Sequence, residues 1–378
     1  ELQRIFAGYQ NAEVMKRVID SATQKKFDLA ASMQAIDFMQ LKINIAPLSL
    51  ENPVLLDSIL TLYYADSYQL REGDNLDQIR LDIFKTMISD YSINSEWYNA
   101  NKDKDITKQL GIVEKAYTQL GIRLHNNFMN QPTKENLLAY LDHTNEFDRF
   151  VQLHGSGYEA WRKESDRNVT VFYTYLADRF KDEQSYIEAI RHLHAFNDKY
   201  PEDDDFFNNE GLALNYAQTM YDMISPKFVD GTAPVGQDLP KTDDEAFSLF
   251  SAAALRFIDV SNQERYRSDA NVLRANQINL GLADIQYNRG KYTDAAVLYT
   301  KALEYESRLD NRTKRDIYLK MADMAVKDRK YLDAESWFRK ALPLALNDED
   351  RLSITNDIRF QIQSNFESAA ARGDFATE

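Results

Sequence analysis

Residues 282–303 read LADIQYNRGKYTDAAVLYTKAL, and residues 321–342 read MADMAVKDRKYLDAESWFRKAL. The two stretches align without a gap: Ala-Asp stands near the start of each, Tyr precedes Ala by three residues in the middle, and a further Ala follows seven residues later. The same opening and middle recur from Leu176 to Ala189. Recurrence at fixed distances indicates an internal structural repeat.

The spacing within each copy is typical of two antiparallel helices that pack face to face. An Ala at one turn of each helix lets the backbones approach, and a large residue one turn away fills the neighbouring gap. A single pair of helices buries only one face, so pairs of this kind stack in series. The stretch therefore predicts a stack of helix pairs.

Composition supports a helical chain. The 378 residues include only 12 Gly and 8 Pro, and 44% of them are hydrophobic, which favours a large buried core over a disordered chain. The formal net charge of −15 disfavours nucleic acid and anionic lipid as partners. No apolar run is long enough for a membrane-spanning helix, and a start at Glu1 is compatible with a removed signal segment or lipid anchor.

The repeated residues and their spacing resemble those of the tetratricopeptide repeat (TPR) family. The family's small residues correspond to eight alanines, namely Ala177, Ala189, Ala213, Ala246, Ala283, Ala295, Ala322 and Ala334. Gly290 fits the turn between the two helices, and Pro201 fits the end of a unit. The match has departures, because Gln286 and Ala325 replace the first-helix aromatic and one repeat interval is 39 residues instead of 34. The resemblance implies an all-α fold, a right-handed α-α superhelical solenoid of TPR-like helix pairs.

Three regions follow from this pattern. Residues 1–155 are interpreted as degenerate helical repeats, on the basis of Phe27 with Ala30 and of Ala65 with Tyr68. Residues 156–346 are interpreted as TPR-like repeats with a loop insertion at 225–244, whose Pro and Gly residues interrupt a helix. The insertion is either a plain surface loop or a contact for a partner. Residues 347–378 are predicted to be a capping helix and tail.

A search for chemistry finds no constellation that would support an enzyme. The chain has no Cys, its five His lack the spacing of metal ligands, and the only GK dipeptide, at Gly290, lacks the rest of a phosphate-binding loop. The acidic segment that starts at Asn101 has Ile where a calcium loop needs Gly and Glu. We therefore expect no catalytic residues, no metal site and no cofactor.

One recurring acidic position has a functional implication. Asp directly follows the first-helix Ala at Asp178, Asp284 and Asp323, with Asp66 as a fourth candidate. The resemblance places these carboxylates on the concave groove together with Tyr287. They would form either a ladder that binds basic or donor-rich segments of other proteins, or a set of hydrogen bonds and ion pairs within each repeat.

The expected function is a non-enzymatic scaffold or adaptor that binds other proteins. The Tyr186-to-Ala189 step followed by Pro201 is similar to helical-repeat proteins of the bacterial cell envelope, which implies an outer-membrane, secretion, pilus or motility assembly. A periplasmic or outer-membrane-associated location follows from that similarity, with the cytoplasm as the alternative. The alternative function is a regulatory sensor that binds a peptide or small molecule in the groove.

Overall fold

A computed structural model of the protein describes residues 29–64, 75–154, 158–232, 234–236 and 238–371. Throughout these ranges the regular structure is helical. The chain divides into two compact units, Glu1–Phe180 and Lys181–Glu378, and each is described by itself.

The described part of the first unit contains seven helices. They are α1 (Leu29–Ile45), α2 (Asn52–Tyr63), α3 (Leu76–Tyr91), α4 (Glu96–Asn101), α5 (Thr107–Asn130), α6 (Lys134–His154) and α7 (Tyr158–Phe180). Asn75 begins α3 and Ser95 begins α4, each by accepting a backbone N–H from the first turn with its side chain.

The described part of the second unit contains eight helices. They are α8 (Glu183–Lys199), α9 (Phe206–Val229), α10 (Asp243–Asn262), α11 (Asp269–Asn288), α12 (Tyr292–Leu303), α13 (Asn311–Lys327), α14 (Tyr331–Ala341) and α15 (Asp348–Ala371). Each packs on the next along the chain, with α11–α12 and α13–α14 as the two pairs quoted at the outset. The prediction of an all-α stack of TPR-like helix pairs is confirmed.

The eight alanines of the repeat pattern share one property, since each has 0% exposed surface: Ala177, Ala189, Ala213, Ala246, Ala283, Ala295, Ala322 and Ala334. In the α11–α12 pair, Ala283 and Ala295 lie in one apolar cluster with Tyr299 and Met321. The next cluster contains Ala322 of α13. Small residues at these places allow two helices to pack at short distance.

The turns of the two quoted pairs also correspond. Gly290 lies between α11 and α12 with φ of 74°, and Arg329 takes the same place between α13 and α14 with φ of 60°. After each, a backbone N–H closes the helix end, from Lys291 to the Gln286 carbonyl at 2.9 Å and from Lys330 to the Ala325 carbonyl at 2.8 Å. Both ends therefore have the left-handed residue that commonly terminates a helix.

The start of the insertion differs in detail from the sequence expectation. Helix α9 continues through Pro226 to Val229, so the connecting segment starts later than residue 225. Pro226 lies in the last turn, where the missing N–H removes a single helical bond, and fully buried Ile224 holds that turn in place. The predicted repeat that joins Ala177 to Ala189 spans the division between the units, so that pairing and the predicted domain boundaries stay predictions.

The insertion is attached to its own unit. The side chain of Leu239 is buried, and Asp238 forms an ion pair with Arg191 of α8 at 3.0 Å. A Cβ at Gly236 would lie 2.4 Å from the Leu239 side chain, so a larger residue there would require the Leu239 side chain to move. The described parts of the insertion thus follow the surface of α8 closely.

A buried charge joins α8, α9 and α10. The Glu210 side chain of α9 is fully buried and accepts hydrogen bonds from Arg256 Nη2 at 2.7 Å and Asn197 Nδ2 at 3.0 Å. The Asn197 amide also donates to the Phe206 carbonyl at 2.9 Å. A buried carboxylate needs such partners, because burial removes its hydration. This network ties three consecutive helices together.

In the first unit, Tyr117 of α5 organises the contact with α6. Its ring stacks on Phe147 with centroids 4.9 Å apart, and its hydroxyl lies 2.9 Å from Ser92 Oγ. His143 Nε2 donates to the Tyr117 carbonyl at 2.9 Å. Burial lowers the pKa of His143 to about 4, although the bond to the carbonyl acts in the opposite direction.

We expect the Ala295→Leu variant to lower the free energy of unfolding by about 1–3 kcal/mol or more, because the added atoms must enter a filled helix contact. Ala270→Leu is the matched control, since Ala270 is exposed on α11 and the change should stay within about 0.5 kcal/mol. Urea denaturation followed by circular dichroism measures both. Equal effects would contradict the close-packing role of Ala295.

His143 should make folding stability depend on pH. Above pH 6.5 the ring is neutral in both states and contributes nothing; between pH 6.5 and about 4 only the unfolded chain takes up the proton, so stability falls. The loss approaches about 3 kcal/mol at pH 4, at about 1.4 kcal/mol per unit of pKa difference.

His143→Gln should remove this part of the pH dependence. Burial also lowers the pKa of His154 and His194, so the informative quantity is the difference between variant and wild type in urea titrations at pH 7 and pH 4.5. His125→Gln is the control variant. A His143→Gln profile parallel to that of wild type would show that His143 is not the group responsible.

Candidate interaction surface

Three of the predicted groove residues meet on one face of the second unit. Asp284 and Tyr287 lie on α11, and Asp323 lies on α13. Asp178 is exposed near the end of α7 in the first unit, and Asp66 lies outside the described residues. Of the predicted groove residues, Asp284, Tyr287 and Asp323 therefore lie on one surface of the second unit.

The carboxylate of Asp284 links three helices. It accepts a hydrogen bond from Lys320 Nζ of α13 at 2.6 Å and another from the Tyr299 hydroxyl of α12. The Tyr299 ring is fully buried, whereas 48% of the Asp284 side chain is exposed. Burial raises the pKa of Tyr299, and its bond to Asp284 raises it further. Asp284 thus fixes the hydroxyl of a core tyrosine at the surface.

Asp323 has a similar pair of donors. It accepts from the Tyr287 hydroxyl of α11 at 2.5 Å and from Lys327 Nζ, one turn along α13, at 2.5 Å. Partial burial raises the pKa of Tyr287 to about 12, with the bond to Asp323 as the second cause. The bond to Asp323 also raises the pKa of Lys327. Asp323 therefore has one donor from α11 and one from its own helix.

We call the surface formed by Asp284, Tyr287, Tyr292, Lys320, Asp323 and Lys327 the α11–α13 face. Two hydrogen bonds cross from α11 to α13, one between Asp284 and Lys320 and one between Tyr287 and Asp323. Each joins residues 36 positions apart in the sequence. The two amines also lie near aromatic rings, with Lys327 Nζ 4.3 Å from the Tyr292 centroid and Lys320 Nζ 5.9 Å from that of Tyr287. The face is a mixed-charge network with half-buried aromatic rings.

Asp284 and Asp323 each accept hydrogen bonds both from within their own repeat and from the neighbouring repeat, and their role in binding a partner stays a prediction. Asp323 pairs within its own helix, and Asp284 pairs with the following repeat. Lys320 and Lys327 were not predicted from the sequence. A signal existed for Lys327, which stands four residues after Asp323 on one helix, whereas the contact of Lys320 with Asp284 follows only from the structure.

A second feature lies between α12, α13 and α14, which we call the α12–α14 cleft. It has a volume of about 470 Å³ and is reached from the α11–α13 face at Tyr292, which lines both. The apolar lining comes from six side chains: Ala296, Val297, Met321, Met324, Ala325 and Trp337. Lys301, Asp328, Lys330 and Asp333 add charged groups of both signs. Methionine side chains adapt readily to different ligand shapes.

The described helices offer no metal centre and no membrane span. Within those ranges, no three His, Asp or Glu side chains are grouped as a metal ion would require. None of the helices there has the combination of length and hydrophobicity that a bilayer crossing needs.

Comparison with known proteins finds similar folds at low sequence identity. No protein-family model and no curated protein matches the chain. A tetratricopeptide repeat protein from Parabacteroides merdae aligns over 93% of this chain and 98% of its own, with 13% identity and a TM-score of 0.23. Yeast Tom70 aligns over 97% of this chain and 95% of its own, with 10% identity and a TM-score of 0.15.

A signal-transduction ATPase with a tetratricopeptide repeat sensor, from Pyrococcus horikoshii, aligns over 87% of this chain with 13% identity and a TM-score of 0.28. This chain spans only 42% of the length of that protein.

The geometry predicts unequal roles for the two donors to Asp284. A hydrogen bond from a buried hydroxyl to a carboxylate contributes about 1.5–3 kcal/mol, whereas a half-exposed ion pair contributes at most about 1 kcal/mol. In double-mutant cycles with Asp284→Ala, we therefore expect a larger coupling energy with Tyr299→Phe than with Lys320→Met. Urea denaturation of the single and double variants gives both values. A larger coupling with Lys320 would refute the structural role assigned to Asp284.

Proposed function

We propose that the protein is a non-enzymatic scaffold that binds a segment of another protein at the α12–α14 cleft. The observation that carries the proposal is the composition of this cleft, an apolar floor beside charged groups of both signs. Protein interfaces commonly have this anatomy, in which a buried apolar anchor supplies most of the affinity and a polar rim supplies specificity.

The helix stack supports such a role because it keeps the cleft in place without a ligand. Met321 and Met324 line the cleft and are also buried in the apolar cluster that contains fully buried Tyr299. A surface that is already formed loses little conformational entropy when a partner binds. The exposed side chain of Val297 leaves apolar area available for an incoming apolar residue.

The ion pairs of the α11–α13 face limit the charge of a partner that can bind there. A basic segment, the partner expected from the sequence, would have to displace Lys320 from Asp284 and Lys327 from Asp323. A partner with an apolar residue flanked by charges of both signs needs no such displacement. We propose the second kind as the principal ligand, and the basic segment remains a weaker proposal.

The cellular setting is also a proposal. The similarity of the segment from Tyr186 to Pro201 to helical-repeat proteins of the bacterial cell envelope supports an outer-membrane, secretion, pilus or motility assembly. A periplasmic or outer-membrane-associated location would agree with it, and the cytoplasm is the alternative.

Photocrosslinking in native cells tests the scaffold. A photoreactive amino acid at Thr300, which lines the cleft, should yield defined crosslinked proteins, whereas the same group at Asp294, exposed on α12 outside the cleft, should not. Mass spectrometry identifies the products. Indistinguishable products at the two positions would refute binding at the cleft.

Val297→Glu should abolish those crosslinks at Thr300 by placing a charge on the apolar floor. The matched control is Leu332→Glu, since Val297 is 54% and Leu332 58% exposed but Leu332 does not line the cleft. Both variants should unfold at the wild-type urea concentration. Crosslinks that persist in Val297→Glu, or that disappear equally in Leu332→Glu, would contradict the proposal.

A further inference from the structure

The first unit contains a separate cavity of about 330 Å³ between α5, α6 and α7. Six ring-bearing side chains line it: Tyr117, His125, Tyr140, His143, Phe147 and Trp161. Its volume falls in the range of small-molecule sites, which are commonly apolar pockets with a few convergent polar groups. We call it the α5–α7 cavity.

The rings are held by one another. Phe147 stacks on Tyr117, and the Trp161 ring meets Phe147 edge to face with centroids 4.7 Å apart. On the other side, Tyr140 meets Phe172 edge to face at 4.7 Å, and His125 lies 5.1 Å from the same ring. The cavity is therefore bounded by a fixed aromatic wall, which favours a ligand with a ring of its own.

One buried hydroxyl in this wall lacks a partner. Ser165 of α7 is only 4% exposed, lines the cavity, and its Oγ makes no hydrogen bond. A buried hydroxyl left without a partner destabilises a fold, so its position at a cavity suggests that a ligand supplies the bond. By contrast, the buried Ser261 hydroxyl donates to the Phe257 carbonyl at 2.7 Å.

Gly121 contributes to the space available between α5 and α6. A Cβ at this position would lie 3.2 Å from His143 Nε2, so a larger residue would push on the imidazole that bonds to the Tyr117 carbonyl. Because Nε2 donates to a carbonyl, Nδ1 of the neutral ring remains an acceptor.

The interior of the cavity is uncharged. The single carboxylate among its lining residues, Glu164, is exposed and bonds to Arg167 at 3.2 Å. Thr144 and Asn168 add neutral polar groups. No cationic side chain is among the described residues that line the cavity, and the one carboxylate there is already paired with Arg167. A charged molecule would therefore lose hydration without a free partner, and the lining favours a neutral one.

We propose that the α5–α7 cavity binds a small, uncharged aromatic heterocycle, whose ring packs among the aromatic side chains and whose polar atom bonds to Ser165 Oγ. This site lies in the other unit from the α12–α14 cleft and does not depend on the scaffold proposal. It would give the chain a small-molecule ligand in addition to a protein partner.

The test uses the full chain labelled with 5-fluorotryptophan, which reports on its three tryptophans. With 7-azaindole as the probe, ¹⁹F spectra should show a saturable shift of the Trp161 signal, identified with Trp161→Phe, while the Trp97 and Trp337 signals stay in place. No saturable shift, or equal shifts of all three signals, would overturn the proposal, as would a shift of Trp161 by glucose but not by 7-azaindole.

Ser165→Ala should weaken 7-azaindole binding about tenfold, as expected for one lost hydrogen bond. Without probe, its melting temperature should equal or exceed that of wild type, because the variant removes an unpaired buried hydroxyl. The matched Ser261→Ala variant should melt lower and bind the probe as wild type does. Unchanged affinity in Ser165→Ala would refute the assigned contact.

Discussion

The close approach of neighbouring helices depends on alanines that have no solvent-exposed surface. Ala283 and Ala295 set the distance within one pair, and Ala322 and Ala334 set it within the next. The bond from Tyr299 to Asp284 follows from this spacing, because it crosses the α11–α12 contact where Ala283 and Ala295 lie. Side chains as small as methyl groups thus position the polar network at the surface.

The repeat was predictable from sequence because helix packing leaves a signal in residue size. Small residues must recur wherever backbones meet, so Ala177 and its seven counterparts are visible without structural information. The turn at Gly290 was predictable for a similar reason, since its left-handed backbone favours glycine. These signals are local, and they extend over one repeat.

The partners of the polar residues were less predictable. Lys320 and Asp284 belong to successive repeats, and their contact depends on the relative shift of α11 and α13, which the repeat length alone does not give. The α5–α7 cavity was missed for the same reason. His125 and His143 are separated in sequence and become neighbours only through the packing of α5 against α6. Sequence periodicity thus predicts the helices and the faces on which they pack. Which side chains of two helices meet depends on how far one helix is shifted along the other, and only the structure shows that shift.

Arg329 shows that the two quoted repeats are not equivalent in energy. It adopts the left-handed conformation that Gly290 adopts in the preceding repeat, and for a residue with a Cβ this costs about 1–2 kcal/mol. In a stack whose contacts are mostly between neighbours, such a cost stays within its own helix pair. The α13–α14 hairpin therefore carries a local backbone cost that the α11–α12 hairpin lacks, and it contributes Trp337 to the α12–α14 cleft. A single turn residue thus places this backbone cost in the hairpin that forms one wall of the cleft.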